Sequence, residues 1–281
     1  MIVCNGMPWL PLQLKHIYPL YDEIIIVEGA DQWYSVQIQS TNSTDGTLEY
    51  IRNFPDPDKK ITLITKPGWE TKDCMSMAYS KIITGDIVFH IDADEFMSED
   101  VVRKCTEIFK REPNTYISVP QYIIYKTGYA IIRTAEEGPF WNTPPRVLAR
   151  SEKYLIGHIP ICYVDPENPR KKYWAKQFRL SQVRLGEKIY EYGIYSVHYS
   201  WATWQQMKEK ILYHCSREKR PEIEIAYKLK TAKKFWDMNN YPPDLDISFT
   251  SEPRRLIQYT GWDPCKDQYD PGDSEDLGSY G

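Results

Sequence analysis

The stretch Asp86-Ile87-Val88-Phe89-His90-Ile91-Asp92-Ala93-Asp94-Glu95-Phe96 decides the fold, because an apolar segment runs straight into three carboxylates. Its β-branched residues and its lack of alternation are typical of a strand buried on both faces. If the strand ends at Asp92, a turn can aim Asp92 and Asp94 at one divalent cation, which would relieve their mutual repulsion. The alternative is a solvated acidic turn that caps the next helix.

The composition bounds the classes of protein that fit. The 281 residues, 42% of them hydrophobic, suffice for one large domain or two small ones. A net charge of −4 argues against a general nucleic-acid binder. No apolar run approaches the roughly 18 residues of a membrane helix. The six cysteines show neither CxxC pairs nor zinc spacing, and no cleavable signal precedes them. These features predict reduced thiols and a cytoplasmic location.

Apolar strands alternate with helices up to Phe96. The predicted strands are Ile2–Cys4, Asp22–Val27, Ile61–Thr65 and Asp86–Ile91. This alternation predicts an α/β fold with a mostly parallel sheet flanked by helices. Ligands of such sheets bind beyond the carboxyl ends of the strands, where Asn5, Glu28 and Asp92 all lie. The sequence therefore predicts a binding site at this edge.

Helix starts are marked by side chains that can accept hydrogen bonds from free backbone N–H groups. We predict N-caps at Ser43 or Thr44, at Thr71, at Ser98 and at Thr203. Thr203 also opens a capping box, since a glutamine follows three residues later. Each cap precedes a helix with an apolar stripe.

The pattern changes after the fourth predicted helix. Tyr116–Tyr125 and Tyr129–Thr134 predict an antiparallel hairpin, and Arg146–Arg150 and Tyr195–Ser200 predict two more strands. The segment that follows Thr203 predicts helices. The chain is therefore expected to add a small antiparallel element and a helical C-terminal part to the parallel sheet.

The order of these segments resembles the glycosyltransferases of the GT-A fold, family 2 in particular. Asp22–Val27 followed by Ser43-Thr44-Asp45-Gly46-Thr47 is similar to the start of that family. Asp92-Ala93-Asp94-Glu95-Phe96 resembles its DxD motif in a common bacterial form. Pro145–Arg150 and Val197–Trp201 look like later landmarks.

The resemblance implies a domain organisation. Residues 1–215 would form the transferase domain, with a nucleotide-sugar-binding half at 1–98 and an acceptor half at 99–215. A helical extension would follow at 216–262. The acidic tail at 263–281 offers little to bury and is expected to be flexible.

The sequence departs from the family pattern in two places. Glu28 stands where the family usually has aspartate, and Asp31–Asn42 separate it from the Ser-Thr-Asp-Gly-Thr segment. Relatives with this motif often carry Gly-x-Ile-His-Glu after the arginine strand, whereas this chain reads Gly157-His158-Ile159-Pro160-Ile161. The first departure could reshape nucleotide recognition, and the second leaves the residue that activates the acceptor open.

The resemblance implies a metal-dependent enzyme that moves a sugar from a nucleotide-sugar donor, with a UDP-sugar favoured, to an acceptor hydroxyl with inversion. Mn²⁺ or Mg²⁺ would neutralise the leaving diphosphate. The implied metal ligands are Asp92, Asp94 and His198. The implied nucleotide-sugar contacts are Asn5, Gly6, Glu28, Lys72 and Asp92.

The acceptor half carries weaker implications. An inverting transfer needs a general base, for which Glu137 and His158 are the candidates, with Glu136 beside them. Trp141 and Arg146 are the candidate acceptor contacts. The acceptor could be a saccharide, a lipid or a protein, and the oligomeric state stays open.

Two alternatives compete with this interpretation. One is a carbohydrate-binding protein that kept the GT-A scaffold and lost catalysis, which the missing acid near His158 permits. The other is a nucleotidyltransferase, which usually has a basic, glycine-rich loop after its first strand. Asn5-Gly6-Met7-Pro8 is neither basic nor rich in glycine.

Overall fold

The computed structural model describes residues 1–112, 115–119, 121–126, 128–132, 145–158, 163–168, 171–173, 181–183, 194–238, 255–258, 261–262 and 264–265. The chain divides into two compact units. The first comprises Met1–Pro120 and Thr143–Ser196, and the second comprises Gln121–Asn142 and Val197–Gly281. The predicted boundaries at residues 215 and 262 stay predictions.

The first unit contains the alternating strands and helices. Its helices are α1 (Trp9–Ile17), α2 (Gln32–Ile38), α3 (Thr47–Asn53), α4 (Lys72–Ser80) and α5 (Glu99–Arg111). Its strands are β1 (Ile2–Val3), β2 (Ile24–Glu28), β3 (Ile61–Thr65), β4 (Ile87–Phe89), β5 (Glu95–Met97), β6 (Thr115–Ser118), β9 (Pro145–Ala149), β10 (Leu155–Ile156), β11 (Tyr163–Val164), β12 (Lys172–Tyr173) and β13 (Ser181–Val183).

A parallel sheet with the order β1-β2-β3 forms the centre of this unit. Ile2 pairs with Val27, and Ile24 pairs with Ile61. All five residues of β2 are buried, as its continuous apolar run predicts. Leu10 and Leu14 of α1 are fully buried in the same core. The predicted α/β architecture is therefore confirmed.

The pairing of β4 differs from the prediction. Alternation with helices placed it as the fourth strand of the parallel sheet, but its described partner is β9, which runs antiparallel with Val88 opposite Leu148. These strands belong to a second sheet with the order β13-β6-β9-β4. A buried apolar run looks the same beside either kind of neighbour, so periodicity alone does not give strand direction. A further small antiparallel sheet has the order β10-β11-β12.

The helix caps test the local predictions. Thr71 and Ser98 each accept a hydrogen bond from the backbone N–H group of the third residue of their helix, which confirms both caps. The predicted cap at Ser43 or Thr44 is wrong, because α3 begins after Gly46. Both residues contact the Asn5-Gly6-Met7 turn instead. The insertion at Asp31–Asn42 also forms a short helix, α2, which Asp31 caps.

The second unit contains β7 (Gln121–Tyr125), β8 (Tyr129–Ile132), β14 (Ser196–Trp201, of which Ser196 belongs to the first unit), β15 (Arg255–Gln258), α6 (Trp204–Arg217) and α7 (Glu222–Asp237). The predicted hairpin is confirmed in part, since β7 and β8 pair antiparallel with Ile123 opposite Ile131. The predicted strand Tyr116–Tyr125 is divided into β6 and β7, and β6 pairs with β9 instead. The Thr203 capping box is also confirmed. Met207 and Ile211 of α6 pack with Tyr125 and Trp201 in a core of this unit.

Two findings concern the predicted reduced thiols and the predicted lack of a membrane helix. Within the described part of the chain, no helix combines the length and the apolar character that a bilayer span requires. The five cysteines that the structure describes form no disulfide. The cytoplasmic location stays a prediction.

Candidate active site

The turn Asp92-Ala93-Asp94 lies between the end of β4 and the start of β5. The Glu95 N–H donates to the Asp92 carbonyl oxygen at 3.2 Å, which closes the turn. From α1, the Gln13 side-chain amide donates to the Glu95 carbonyl at 2.6 Å and to the Asp92 carbonyl at 3.4 Å. Both aspartates stay partly exposed. The backbone of the turn is thus fixed, while both aspartates keep part of their surface in contact with solvent.

A buried arginine bridges two carboxylates of this turn. The Arg146 guanidinium lies 3.0 Å from Asp92 Oδ2 and 2.7 Å from Glu95 Oε2. Side-chain exposure is 7% for Arg146, 25% for Asp92 and 0% for Glu95. The Ser196 hydroxyl donates to Glu95 Oε1 at 2.8 Å. Two carboxylates and one guanidinium leave this trio with one net negative charge.

Two histidines adjoin the turn and contact each other. His90 is 1% exposed, and its Nδ1 lies 2.6 Å from the Tyr79 hydroxyl. Its Nε2 lies 3.0 Å from His158 Nδ1. The backbone N–H of His158 donates to Asp73 at 2.8 Å. One ligand atom of each of His90, Asp92 and His158 lies within 4.8 Å of the other two.

Both imidazoles are neutral at physiological pH. Burial, followed by the neighbouring His158 and the Arg146 cation, lowers the pKa of His90 well below its usual value. Burial also lowers the pKa of His158 to about 3, although the Asp92 charge acts in the opposite direction. Neutral imidazole is the form that binds metal ions and accepts protons.

The turn Asn5-Gly6-Met7 after β1 lies beside the acidic turn. A Cβ built on Gly6 would lie 2.6 Å from Val3 Cγ2 and 3.6 Å from Ala93 Cβ, so only glycine fits there. The backbone N–H groups of Asn5, Gly6 and Met7 donate to side-chain oxygens of Ser43, Thr47 and Asp45, respectively. The Ser43–Thr47 segment therefore holds this turn in place.

Residues 31–165 match the model of the family described as glycosyl transferase family 2. This match covers slightly less than half of the chain and shows that the segment is similar to family 2 glycosyltransferases. The matched segment includes the acidic turn and the bridging arginine. Together with the parallel α/β half, the match confirms the predicted fold class and the predicted enzyme class.

Two further comparisons accompany this match. No protein with a curated description matches the chain. The structure of S. aureus TarS 1–349 is 10% identical with a TM-score of 0.40, covering 89% of this chain and 73% of that one. A structure of S. aureus TarS is 10% identical with a TM-score of 0.42, covering 84% of this chain and 42% of that one. The structure of S. aureus TarS 1–349 in complex with UDP is 10% identical with a TM-score of 0.38, covering 87% of this chain and 72% of that one. At such scores these similarities support no conclusion about the site.

Glu28 at the end of β2 has several partners within the protein. It is fully buried, and its carboxylate accepts hydrogen bonds from the Asn42 side chain at 2.9 Å, the Ser43 backbone at 2.7 Å and the Thr65 hydroxyl at 3.1 Å. These contacts tie the end of β2 to the insertion and to β3. Its predicted contact with the nucleotide base stays a prediction.

The other predicted residues are distributed as follows. Lys72 begins α4, and its charge acts on His158. His198 lies on β14, among the residues of the second unit, and its role as a metal ligand stays a prediction. Glu137, Glu136 and Trp141 lie outside the described residues. Arg146 is brought to Asp92 and Glu95, and its contact with an acceptor stays a prediction.

Sequence reasoning missed several parts of the glycosyltransferase site. Neither Tyr79 nor Gln13 is among the predicted site residues. The interruption of an apolar strand by His90 was a usable signal, because a buried polar side chain needs a partner. The partners themselves lie 11 residues away at Tyr79 and 68 residues away at His158. No local pattern identifies contacts over such distances.

Proposed function

We propose that the glycosyltransferase domain moves a sugar from a nucleotide-sugar donor, with a UDP-sugar favoured, to an acceptor hydroxyl with inversion, using Mn²⁺ or Mg²⁺. The observation that carries this proposal is the acidic turn, whose Asp92 and Asp94 carboxylates reach solvent from a fixed backbone. The turn also lies within the segment that matches the family. The turn adjoins Gly6, just beyond the carboxyl end of the parallel strand β1, and ligands of parallel α/β sheets bind at such ends.

The two aspartates fit a hard divalent cation. Mg²⁺ and Mn²⁺ prefer oxygen ligands and retain several waters, so a partly exposed carboxylate pair suits them. When bound there, the ion would neutralise the charge that builds on the leaving diphosphate. Arg146 offsets part of the acidic charge, and Gln13 keeps the turn from shifting. These residues prepare the site before any ligand arrives.

We propose that either Glu137 or His158 is the base that takes the proton from the acceptor hydroxyl. His158 has one ring nitrogen, Nδ1, in contact with His90. If Nδ1 carries the proton and donates to His90 Nε2, then His158 Nε2 is unprotonated and can accept a proton. His90 must then carry its own proton on Nδ1 and donate to the Tyr79 oxygen. His158 can therefore accept a proton only if both histidines carry their protons on Nδ1.

The binding half of the proposal is tested by calorimetric titration with UDP, with and without Mn²⁺. We compare the wild type with Asp94→Asn and with the matched control Asp86→Asn, at the other end of β4, where the side chain is 96% exposed. Mn²⁺ should tighten UDP binding by about tenfold or more in the wild type and in the control, and not in Asp94→Asn. Equal UDP affinity under all these conditions would contradict the proposal.

The catalytic half is tested by a panel of nucleotide sugars in which release of free nucleotide is measured. Turnover that requires Mn²⁺ or Mg²⁺ supports the transferase. Metal-dependent UDP binding without turnover of any donor would favour the carbohydrate-binding alternative.

A further inference from the structure

The histidine pair beside the acidic turn has a geometry that the proposed donor site does not use. In a tetrahedral site, metal–nitrogen bonds of about 2.0–2.1 Å place two imidazole nitrogens about 3.3 Å apart. His90 Nε2 and His158 Nδ1 already lie 3.0 Å apart. A carboxylate oxygen of Asp92 lies within 4.8 Å of one ligand atom of each histidine, so the carboxylate must move towards the two rings for all three ligands to contact one ion.

We propose that His90, Asp92 and His158 form a binding site for a divalent transition-metal ion of the zinc class. Two imidazoles and one carboxylate are the donor set that such ions prefer, whereas Mg²⁺ favours oxygen ligands alone. Three protein ligands leave a fourth position open. This site shares Asp92 with the proposed donor site but does not use Asp94.

The surroundings of the pair support a metal site. Histidine ligands usually donate their second ring N–H to an oxygen, which fixes the tautomer and the ring orientation. The Tyr79 hydroxyl lies 2.6 Å from His90 Nδ1 and can accept this proton. The backbone of His158 is held by Asp73 at 2.8 Å. Two of the three ligands are therefore already oriented.

The electrostatics of the site also admit a cation. Arg146 is a positive charge close to Asp92, but it lies nearer to Glu95, at 2.7 Å against 3.0 Å. Glu95 therefore compensates the guanidinium, and the net negative charge of the trio remains for the ion.

The site would have a consequence for the proposed reaction, and this consequence rests on the proposed function. An imidazole that binds a metal through Nδ1 carries its proton on Nε2. His158 could then not accept a proton from the acceptor. The ion would also link the acidic turn to the segment that follows β10, and it would therefore stabilise the folded protein by mass action.

The experiment is a titration of the chelator-treated protein with Co²⁺, a spectroscopic substitute for Zn²⁺, in the absence of nucleotide. We expect one equivalent to bind with the visible absorption of four-coordinate Co²⁺, and Zn²⁺ to displace it. His158→Asn should weaken binding by more than about 100-fold, because loss of even an outer hydrogen-bond partner costs about 10–100-fold. Asp94→Asn and His214→Asn are the controls and should bind as the wild type does.

Absence of the spectrum in the wild type would overturn the proposal. So would its loss in Asp94→Asn combined with its retention in His158→Asn. Because a variant could fail to fold, a second measurement uses the wild type alone. In the Co²⁺-loaded protein, two histidine ring N–H protons should show paramagnetic shifts in the NMR spectrum, and fewer than two would exclude the site. Because no nucleotide is present, failure here leaves the proposed transferase standing, and the reverse also holds.

Discussion

Replacing Arg146 by methionine should strongly destabilise the first unit. The guanidinium is 7% exposed and bridges Asp92 and Glu95, and the Glu95 side chain is 0% exposed. Methionine keeps much of the buried volume but leaves the Glu95 charge in the interior without its cation. Removing one partner of a buried ion pair costs about 3–5 kcal/mol of unfolding free energy. We expect a loss of this size.

A double-mutant cycle separates the charge from the packing. In Arg146→Met combined with Glu95→Gln, neither charge remains, and the amide still has the Ser196 hydroxyl as a partner at the position where Glu95 accepts its hydrogen bond. The double variant should therefore be more stable than the sum of the single effects predicts. We expect a coupling free energy of about 1–3 kcal/mol.

The assay is urea unfolding followed by tryptophan fluorescence, with amide hydrogen exchange to assign the change to β4 and β9. Arg150→Met, at the residue that follows the end of β9, is the matched control. Its partner Asp86 lies 3.9 Å away and is 96% exposed, so that pair should contribute less than about 1 kcal/mol. A loss for Arg146→Met no larger than for Arg150→Met, or strict additivity in the cycle, would refute the reasoning.

Three further predictions concern the turn, a helix cap and the response to acid. Gly6→Ala should lower the unfolding free energy by about 1–3 kcal/mol, because the new Cβ would lie 2.6 Å from Val3 Cγ2. Gly85→Ala is the control and should not lower the unfolding free energy, because there is open space around its Cβ. Equal urea midpoints for the two variants would contradict this prediction. Thr203→Ala removes the capping box of α6 and should cost about 1 kcal/mol, which is measured by urea unfolding and contradicted by an unchanged midpoint. The third prediction concerns the Asp56 carboxylate. Partial desolvation raises the pKa of Asp56, but hydrogen bonds from two backbone N–H groups and a tyrosine hydroxyl outweigh this effect and lower the pKa below its usual 3.8. The carboxylate therefore contributes stability above about pH 4 that is lost as the pH falls through its folded pKa, so the Tm advantage of the wild type over Asp56→Asn should shrink on acidification; a constant difference would exclude this.

Local patterns predicted the elements of the first unit well. The strand Ile61–Thr65 was predicted at its observed bounds, and the caps at Thr71 and Ser98 were confirmed. Each of these features depends on residues within a few positions of one another. Hydrophobic periodicity and capping chemistry therefore suffice to find them.

The predictions that were wrong depend on distant partners. Ser43 was predicted to cap a helix, but its hydroxyl instead accepts from the Asn5 N–H, 38 residues away. The direction of the neighbour of β4 was also missed, because it is set by β9 nearly 60 residues later along the chain. In the site, the acidic pair was found from its spacing. The roles of Arg146 and His90 required the packed structure, because their side chains meet carboxylates and imidazoles from other elements.

The turn after β1 limits how a phosphate group could be recognised. Its three successive amides all donate to side-chain oxygens of the Ser43–Thr47 segment, at 2.8–2.9 Å. An amide that is already committed in this way offers nothing to a ligand oxygen, so this loop is not a backbone cradle of the kind found in P-loops. A diphosphate bound here would depend on mobile cations and on side chains such as Lys72 for its charge balance. Its affinity would then fall steeply as the ionic strength rises, because partly exposed charges are screened by salt.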